Sequence, residues 1–519
     1  MISAWISSSL SIRGTEYQTT GSRKNAASFS GRPSIDFRMT RFPILLTQSI
    51  VFTIPFCTLN LECGILFDVS TSGVTPIDLH ITPIDGRNYH KIKALSEYFS
   101  EHALNRERIF VEVNYLIWLS KYKVIRKLSK KEIEILSSIP TDYHRICDIE
   151  SRVNHDVKAI ELFIQEKLSK TTLRDITSMV HFGLTSDDIN FCAYARCIQG
   201  AMEKIILPII DEIHVGLQKA AKKYKNLSML ARTHGQPATG TTYGKELGVF
   251  AYRLEKNISV LKSLHIGGKL SGNVGNFNAH LAVFPKINWL TFSKTFLEHI
   301  EVMPEMVTTQ IAPYDSYIRL FQELHYVNLI LLGLSKDMWL YAMLGYLKQK
   351  NISKEVGSTA LPHKINPIYL EGAEGGFEIA NSFFELYIRK LSYLRLQRDL
   401  SDSTVRRSFG TAFSYCLLSY QSILEGLERI EPNETHMKED LLSHYEILSE
   451  AIQNYLRAKG FSNAYEKTKQ FFRGHISTQS DVNEFISTLS ISHKDKEYLL
   501  TLSPLSYTGL ANEIVETYV

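Results

Sequence analysis

Most of the features that betray function through composition alone are missing from this chain. Its six cysteines, Cys57, Cys63, Cys147, Cys192, Cys197 and Cys416, show no metal-ligand spacing. Cys192 and Cys197 stand close together inside a helical pattern, which reads as buried thiols in a reducing compartment; no metal is expected. Neither sign of charge dominates, because 58 Lys and Arg against 54 Asp and Glu leave a net charge of +4 over 519 residues. That is too little for a nucleic-acid binder or for docking on an anionic membrane surface. Long apolar runs are also absent. Phe42–Cys57 comes nearest, but Pro43, Gln48 and Pro55 interrupt it and it is short for a membrane span. Strand-like alternation is scarce, and no repeat or low-complexity tract follows residue 77. What remains is an ordinary globular composition, 44% hydrophobic and 22% charged, in a chain long enough for two or three domains.

Residues 1–77 differ from the rest. Residues 1–41 are rich in Ser, Lys and Arg and carry only Glu16 and Asp36 as acids. A Ser-rich targeting segment, a disordered leader and a misplaced start are the alternatives. A start at Met39 would set Arg41 ahead of an apolar run, as in a signal peptide, but no cleavage site follows.

From Asp78 onward the pattern is helical. Ile189, Ala195, Ile198, Met202, Ile205, Ile209, Ile213 and Leu217 form one stripe, with a kink expected at Pro208. Tyr243, Leu247, Phe250, Leu254, Ile258 and Leu261 form another. Tyr317–Tyr346 is apolar nearly all round, which predicts a helix buried on every side. Helices of about 30 residues span about 45 Å, and several in one chain predict a long bundle packed against copies of itself. The expected fold is all-α with three helical domains. They run over 78–186, over 187–430 as a central long-helix bundle, and over 431–519. The glycines of Gly267–Gly268 and Gly272–Gly275 predict a flexible loop between two long helices.

Four segments carry chemistry on their residues alone. In Glu355–Pro367, Gly357 supplies a hinge, Ser358 a hydroxyl, and Pro362 and Pro367 bracket a cation, Lys364, and an amide, Asn366. Such a segment suits a loop that closes over an anionic substrate. In Ala231–Thr239, His234 stands among Thr233, Gly235 and Gln236, as a proton donor near neutral pH. Thr185 and Ser186 directly precede a long helix, where hydroxyls and free backbone N–H groups cap the helix and hold an anion at once. A fourth segment, Arg398–Arg407, combines Arg398 and Arg407 with the Ser403 hydroxyl, suited to a phosphomonoester.

The Gly357–Pro367 segment resembles the signature loop of the fumarase/aspartase superfamily, with Thr359 and Leu361 departing from the usual Ser and Met. Ala231–Thr239, Thr185–Asn190, Asn154–Lys158 and Arg398–Ser403 resemble elements of adenylosuccinate lyases, and Pro83–Arg87 resembles their opening, with Asn88 where Tyr is usual. Six segments in the family's order, from Asp78 to the C-terminus, make the resemblance specific. It implies β-elimination of fumarate from adenylosuccinate and from the succinylated aminoimidazole-carboxamide ribotide. It implies Ser358 as base, His234 as acid, His155 as its assistant or as a substrate contact, and Lys364 and Asn366 as neutralisers of developing charge. Substrate contacts fall on Arg87, Asn154, Asp156, Thr185, Ser186, Gln310, Thr359, Arg398, Ser403 and Arg407. No cofactor is implied, and the expected partners are succinyl-purine nucleotides and the chain itself, as a cytoplasmic homotetramer whose active sites are shared between subunits. Thr359, Ala360 and Leu361 lead us to expect slower or differently gated turnover. Another fumarate-releasing lyase, such as an argininosuccinate lyase, and a helical scaffold without activity are the competing readings.

Overall fold

Apolar residues at alternating three- and four-residue spacing decide the architecture. A computed structural model describes residues 80–519, so the expectations for residues 1–77 lie outside the described part. In chain order, the helices that frame the site begin with α1 (Glu101–Lys121), α2 (Asp156–Leu168), α3 (Ser186–Ala201) and α4 (Leu207–Lys223). A hairpin, β1 (Ser228–Thr233) and β2 (Gln236–Thr242), leads into α5 (Tyr243–Ser263). Then come the short parallel pair β3 (Gly267–Gly268) and β4 (Met303–Pro304), α6 (Asp315–Met343) and β5 (Leu347–Gln349). The set closes with α7 (Ile368–Leu391), α8 (Ser401–Arg406), α9 (Phe409–Glu428), β6 (Ile430–Pro432), antiparallel to β5, and α10 (Glu434–Leu442).

Helix α7 buries Leu370, Ala373, Phe377, Ala380, Phe384, Tyr387 and Leu391, an unbroken 3–4 seam that fits between α6 and α9. Each large apolar side chain buried there contributes about 1.5–3 kcal/mol. The fit with α9 is close at Gly376, where a Cβ would lie 2.1 Å from Ser419 Oγ. Inside this seam Asn328 donates to Asn381 at 2.9 Å and accepts from Tyr420 OH at 2.6 Å. The buried amides therefore fix the register of α6, α7 and α9. Helices α4 and α5 pack antiparallel beside them. The helices of the C-terminal segment form a second apolar cluster around Leu448, Ile452, Leu456 and Ile486.

Three details differ from the sequence-based expectation. The irregularity expected at Pro208 lies one turn earlier, as a wide turn over Met202–Ile206, and α4 starts at Leu207 with Pro208 in its first turn. The proline has no N–H and its ring would crowd the carbonyl of Lys204, so the helix opens ahead of it. The glycines at 267–275 are not a free loop: β3 is buried, and Lys269, Ser271 and Gly272 are pinned to α3. Finally, α6 is not buried all round within one chain, because Leu329, Leu340 and Met343 are 40%, 44% and 62% exposed. Among the described residues no helix is long and apolar enough to cross a membrane.

Candidate active site

The first turn of α3 organises one half of the site. Thr185 caps the helix, and its backbone N–H donates to Asp188 Oδ2 at 2.8 Å. Asp188 is fully buried and also accepts from Lys269 Nζ at 2.6 Å, Ser271 N at 2.9 Å and Gly272 N at 3.1 Å. One carboxylate thus ties the Thr185–Ser186 corner to the loop that follows β3. Its neighbour Asp187, also buried, pairs with Arg398 and, at 3.0 Å, with Arg406. Arg406 is itself buried and paired with Asp402, which accepts from Tyr314 OH at 2.7 Å. Arg398 reaches Gln310 Oε1 at 3.4 Å, and Gln310 Nε2 donates to Asn273 Oδ1 at 2.7 Å.

His155 and Asp156 join the same region. His155 caps α2, its Nδ1 accepting from Lys158 N at 3.2 Å. A backbone N–H can only donate, so the neutral ring carries its proton on Nε2, on the half-exposed outer edge. Asn154 adopts a left-handed conformation, φ 50°, to turn the chain between two helices. Asp156 accepts from Arg108 at 2.6 Å and Arg407 at 3.3 Å. Burial works to raise its pKa, but Arg108, the Val157 N–H and Arg407 outweigh burial and hold it below the ordinary value. Arg108 also donates to Asn190 Oδ1 of α3 at 2.9 Å. Asn154, His155, Asp156, Thr185, Ser186, Gln310, Arg398 and Arg407 thus gather at one end of the bundle, with Ser403 on the short α8 between the two arginines.

The signature loop lies at the other end. Ser358 Oγ accepts from the Leu361 N–H at 3.1 Å, and Asn366 donates to the Gly357 carbonyl at 3.1 Å. The turn is so tight that a Cβ on Gly357 would lie 2.2 Å from the Lys364 carbonyl oxygen. Glu355 anchors its start, through an ion pair with Arg429 at 2.8 Å. The tip, Thr359 to Lys364, is exposed. Helix α7, which begins right after this loop, ends seven residues before Arg398, and its 24 residues span about 36 Å. Within one chain, Ser358 and Arg398 therefore sit at opposite ends of the bundle.

His234 occupies the tip of the β1–β2 hairpin, which sequence reading placed only as a segment before a helix. Its φ of 53° and the 74° of Gly235 make a two-residue turn with both central residues left-handed, the geometry that suits a twisted hairpin. A histidine held there presents its ring to solvent at a backbone position it seldom adopts. Arg232 of β1 donates to Asp440 at 2.7 Å, and Asp440 also accepts from Tyr346 OH, at the head of the strand leading toward the loop. His234 thus belongs to the Ser358 end. Arg87 is exposed on a turn, and Lys91, four residues further on, pairs with Glu425 near the C-terminal end of α9 at 3.0 Å. It is not brought to Arg398.

Sequence reading missed Arg108, Asp187, Asp188, Lys269, Asn273 and Arg406. One signal was available: Lys269 stands between Gly268 and the apolar Leu270, an odd place for a surface lysine. His181, beside the Thr185 corner, was also left without a role. It contacts Glu112 at 2.5 Å; burial lowers its pKa, but the carboxylate outweighs burial and leaves it above the ordinary value.

The chain is similar to known proteins over most of its length. Residues 99–377 match the family model described as Lyase, and residues 394–508 the one described as Adenylosuccinate lyase C-terminal. A relative named adenylosuccinate lyase from Legionella pneumophila subsp. pneumophila is 40% identical over 447 residues, covering 84% of this chain and 98% of its own. Relatives of the same name from Dictyostelium discoideum and Escherichia coli (strain K12) are 42% and 37% identical, covering 83% and 84% of this chain and 96% and 98% of their own. Among solved structures, a fumarate lyase from Mesorhizobium sp. BNC1 superposes with a TM-score of 0.67 at 16% identity, over 82% of this chain and 97% of that one. A 3-carboxy-cis,cis-muconate lactonizing enzyme from Pseudomonas putida gives 0.66 at 16% identity, over 82% and 95%. At such identity the structural likeness concerns the fold alone.

Proposed function

The chain belongs to the adenylosuccinate lyase family, and from that premise we propose that it releases fumarate from adenylosuccinate, giving AMP, and from the succinylated aminoimidazole-carboxamide ribotide. It is a carbon–nitrogen lyase of the all-α fumarase/aspartase fold. In our reading, Ser358 removes a proton from the succinyl carbon next to a carboxylate. The electron pair collapses to form the fumarate double bond as the C–N bond breaks, and His234 protonates the departing nitrogen. A serine hydroxyl is a weak base unless its alkoxide is stabilised. The observation that carries this role is the Leu361 N–H already directed at Ser358 Oγ. Lys364 and Asn366 on the same turn meet the charge that develops on the substrate carboxylate, most effectively once the loop excludes water. His155, with its proton on Nε2, assists His234 or binds substrate, together with Asn154 and Asp156. Thr185, Ser186, Gln310 and Thr359 hold the succinyl part. Arg398, Ser403 and Arg407, with Arg87 from another subunit, take the phosphate.

The same reading makes the enzyme a cytoplasmic homotetramer with shared active sites. Two features support it: Ser358 and Arg398 lie at opposite ends of α7 within one chain, and the bundle exposes Leu329, Leu340, Met343 and Ile379. Apolar residues of that size on long helices suit burial against copies of the chain. The test is to supply each succinyl-purine to the purified chain and follow fumarate by absorbance. Release from both, with Ser358→Ala and His234→Ala each lowering kcat by about 100-fold or more, is expected. Full activity in Ser358→Ala would remove Ser358 as the base.

A further inference from the structure

We propose that Asn273 is a further substrate-contacting residue, donating an amide N–H to a carboxylate oxygen of the succinyl group. The inference rests on the lyase reading above. It follows from the direction of a hydrogen-bond chain. A guanidinium can only donate, so the Arg398 contact at 3.4 Å fixes Gln310 Oε1 as an acceptor. Gln310 must then turn its NH2 outward, and it donates to Asn273 Oδ1 at 2.7 Å. The oxygen of Asn273 is thereby used. Its NH2 group is left pointing away with no partner among the described residues, on an exposed side chain. The charge of one arginine thus sets the orientation of two amides and ends the chain in a free donor.

The backbone puts that donor on the carboxylate side of the site. Residues Ser271 and Gly272 donate to Asp188, the same buried carboxylate that holds the Thr185 N–H. Asn273 therefore follows directly on the group that fixes the Thr185–Ser186 corner. Gly272 at φ 77° and Gly275 at φ 80° bend the chain out around it, and a Cβ on Gly275 would lie 2.3 Å from the Thr308 carbonyl oxygen, so the bend is fixed by packing. An uncharged NH2 on the loop tied to the Thr185–Ser186 corner suits a carboxylate. The phosphate has arginines of its own at Arg398 and Arg407.

The experiment uses the full chain and the exposed-site variants Asn273→Ala and Asn273→Asp, with fumarate and AMP as separate product inhibitors. Losing a hydrogen bond to a charged group is expected to raise the fumarate inhibition constant and the KM of adenylosuccinate about tenfold in Asn273→Ala. AMP inhibition should stay as in the parent. Asn273→Asp, which sets like charge against the carboxylate, is expected to weaken fumarate further. Unchanged fumarate inhibition, or an equal weakening of AMP, would overturn the assignment. If the parent chain releases no fumarate, the lyase reading fails separately, and calorimetric titration with fumarate and AMP then decides Asn273. Selective loss of fumarate binding in Asn273→Ala supports the proposal. Equal binding by parent and variant, or no binding by the parent, overturns it.

Discussion

Lys269 has no exposed surface, and its ammonium lies 2.6 Å from Asp188 Oδ1 and 3.0 Å from the Gly272 carbonyl. Replacing it with methionine keeps the volume but leaves Asp188 as a buried charge without its cation. Removing one partner of a buried pair costs about 3–5 kcal/mol. Here Asp188 keeps the backbone N–H groups of Thr185, Ser271 and Gly272, and hydrogen bonds to a charged acceptor are among the stronger ones. The loss should therefore fall at the low end of that range, about 3 kcal/mol. Urea unfolding at fixed protein concentration reads it, with an unchanged m-value marking a true stability change. The pair Lys269→Met with Asp188→Asn removes both charges, so the double variant should lose less than the sum of the single losses by about 2 kcal/mol. Because Asp188 also positions Thr185 and Gly272, KM for adenylosuccinate should rise in Lys269→Met more than kcat falls. A loss below about 1 kcal/mol, or strict additivity in the double variant, would refute the role given to this pair.

Two further predictions concern pH and the loop. His280 is 1% exposed against Tyr115 OH, and burial lowers its pKa from 6.5 to about 4. As pH falls, the unfolded chain takes up this proton first, so stability should decline from pH 6.5 to about 4 by up to about 3 kcal/mol. His280→Asn should flatten that part of a stability–pH curve; an unchanged slope would contradict the assignment. The His181–Glu112 contact acts in the opposite direction, since its contribution is complete below pH 6.5 and fades as pH rises through the raised folded value. Gly357→Ala should lower kcat sharply while leaving the melting temperature unchanged, because the Cβ collides with the Lys364 carbonyl in an exposed turn. Parent-like kcat would show that the turn's shape does not matter.

The helices were legible in the sequence because elements such as α5 repeat one apolar spacing through their length, from Tyr243 to Leu261. Thr185, His234, Ser358 and Arg398 stood out as candidates because each sits in a dense local motif. What stayed hidden depends on contacts remote in sequence. Lys269 meets Asp188 across 81 positions, and nothing near either residue announces the other, so the glycines around Lys269 read as freedom rather than close packing. The His234 hairpin was missed because His-Gly is a rare left-handed pair, and because β2 contains Pro237 and Gly240, which normally argue against a strand. The separation of Ser358 and Arg398 to the two ends of α7 is likewise invisible in the motifs. They record order along the chain, and distance enters only when the helix between them is built.

That division is the centre of the account, and co-expression of two inactive chains tests it. One carries Ser358→Ala and the other Arg398→Ala, and the mixed oligomers are purified together and assayed for fumarate release. If each active site draws Ser358 and Arg398 from different subunits, random assembly from equal amounts leaves both residues intact in about one site in four. Recovery of about a quarter of parental activity is the expected result. If both residues serve one site from the same chain, every site keeps one lesion, and activity no higher than that of either parent variant would contradict the account.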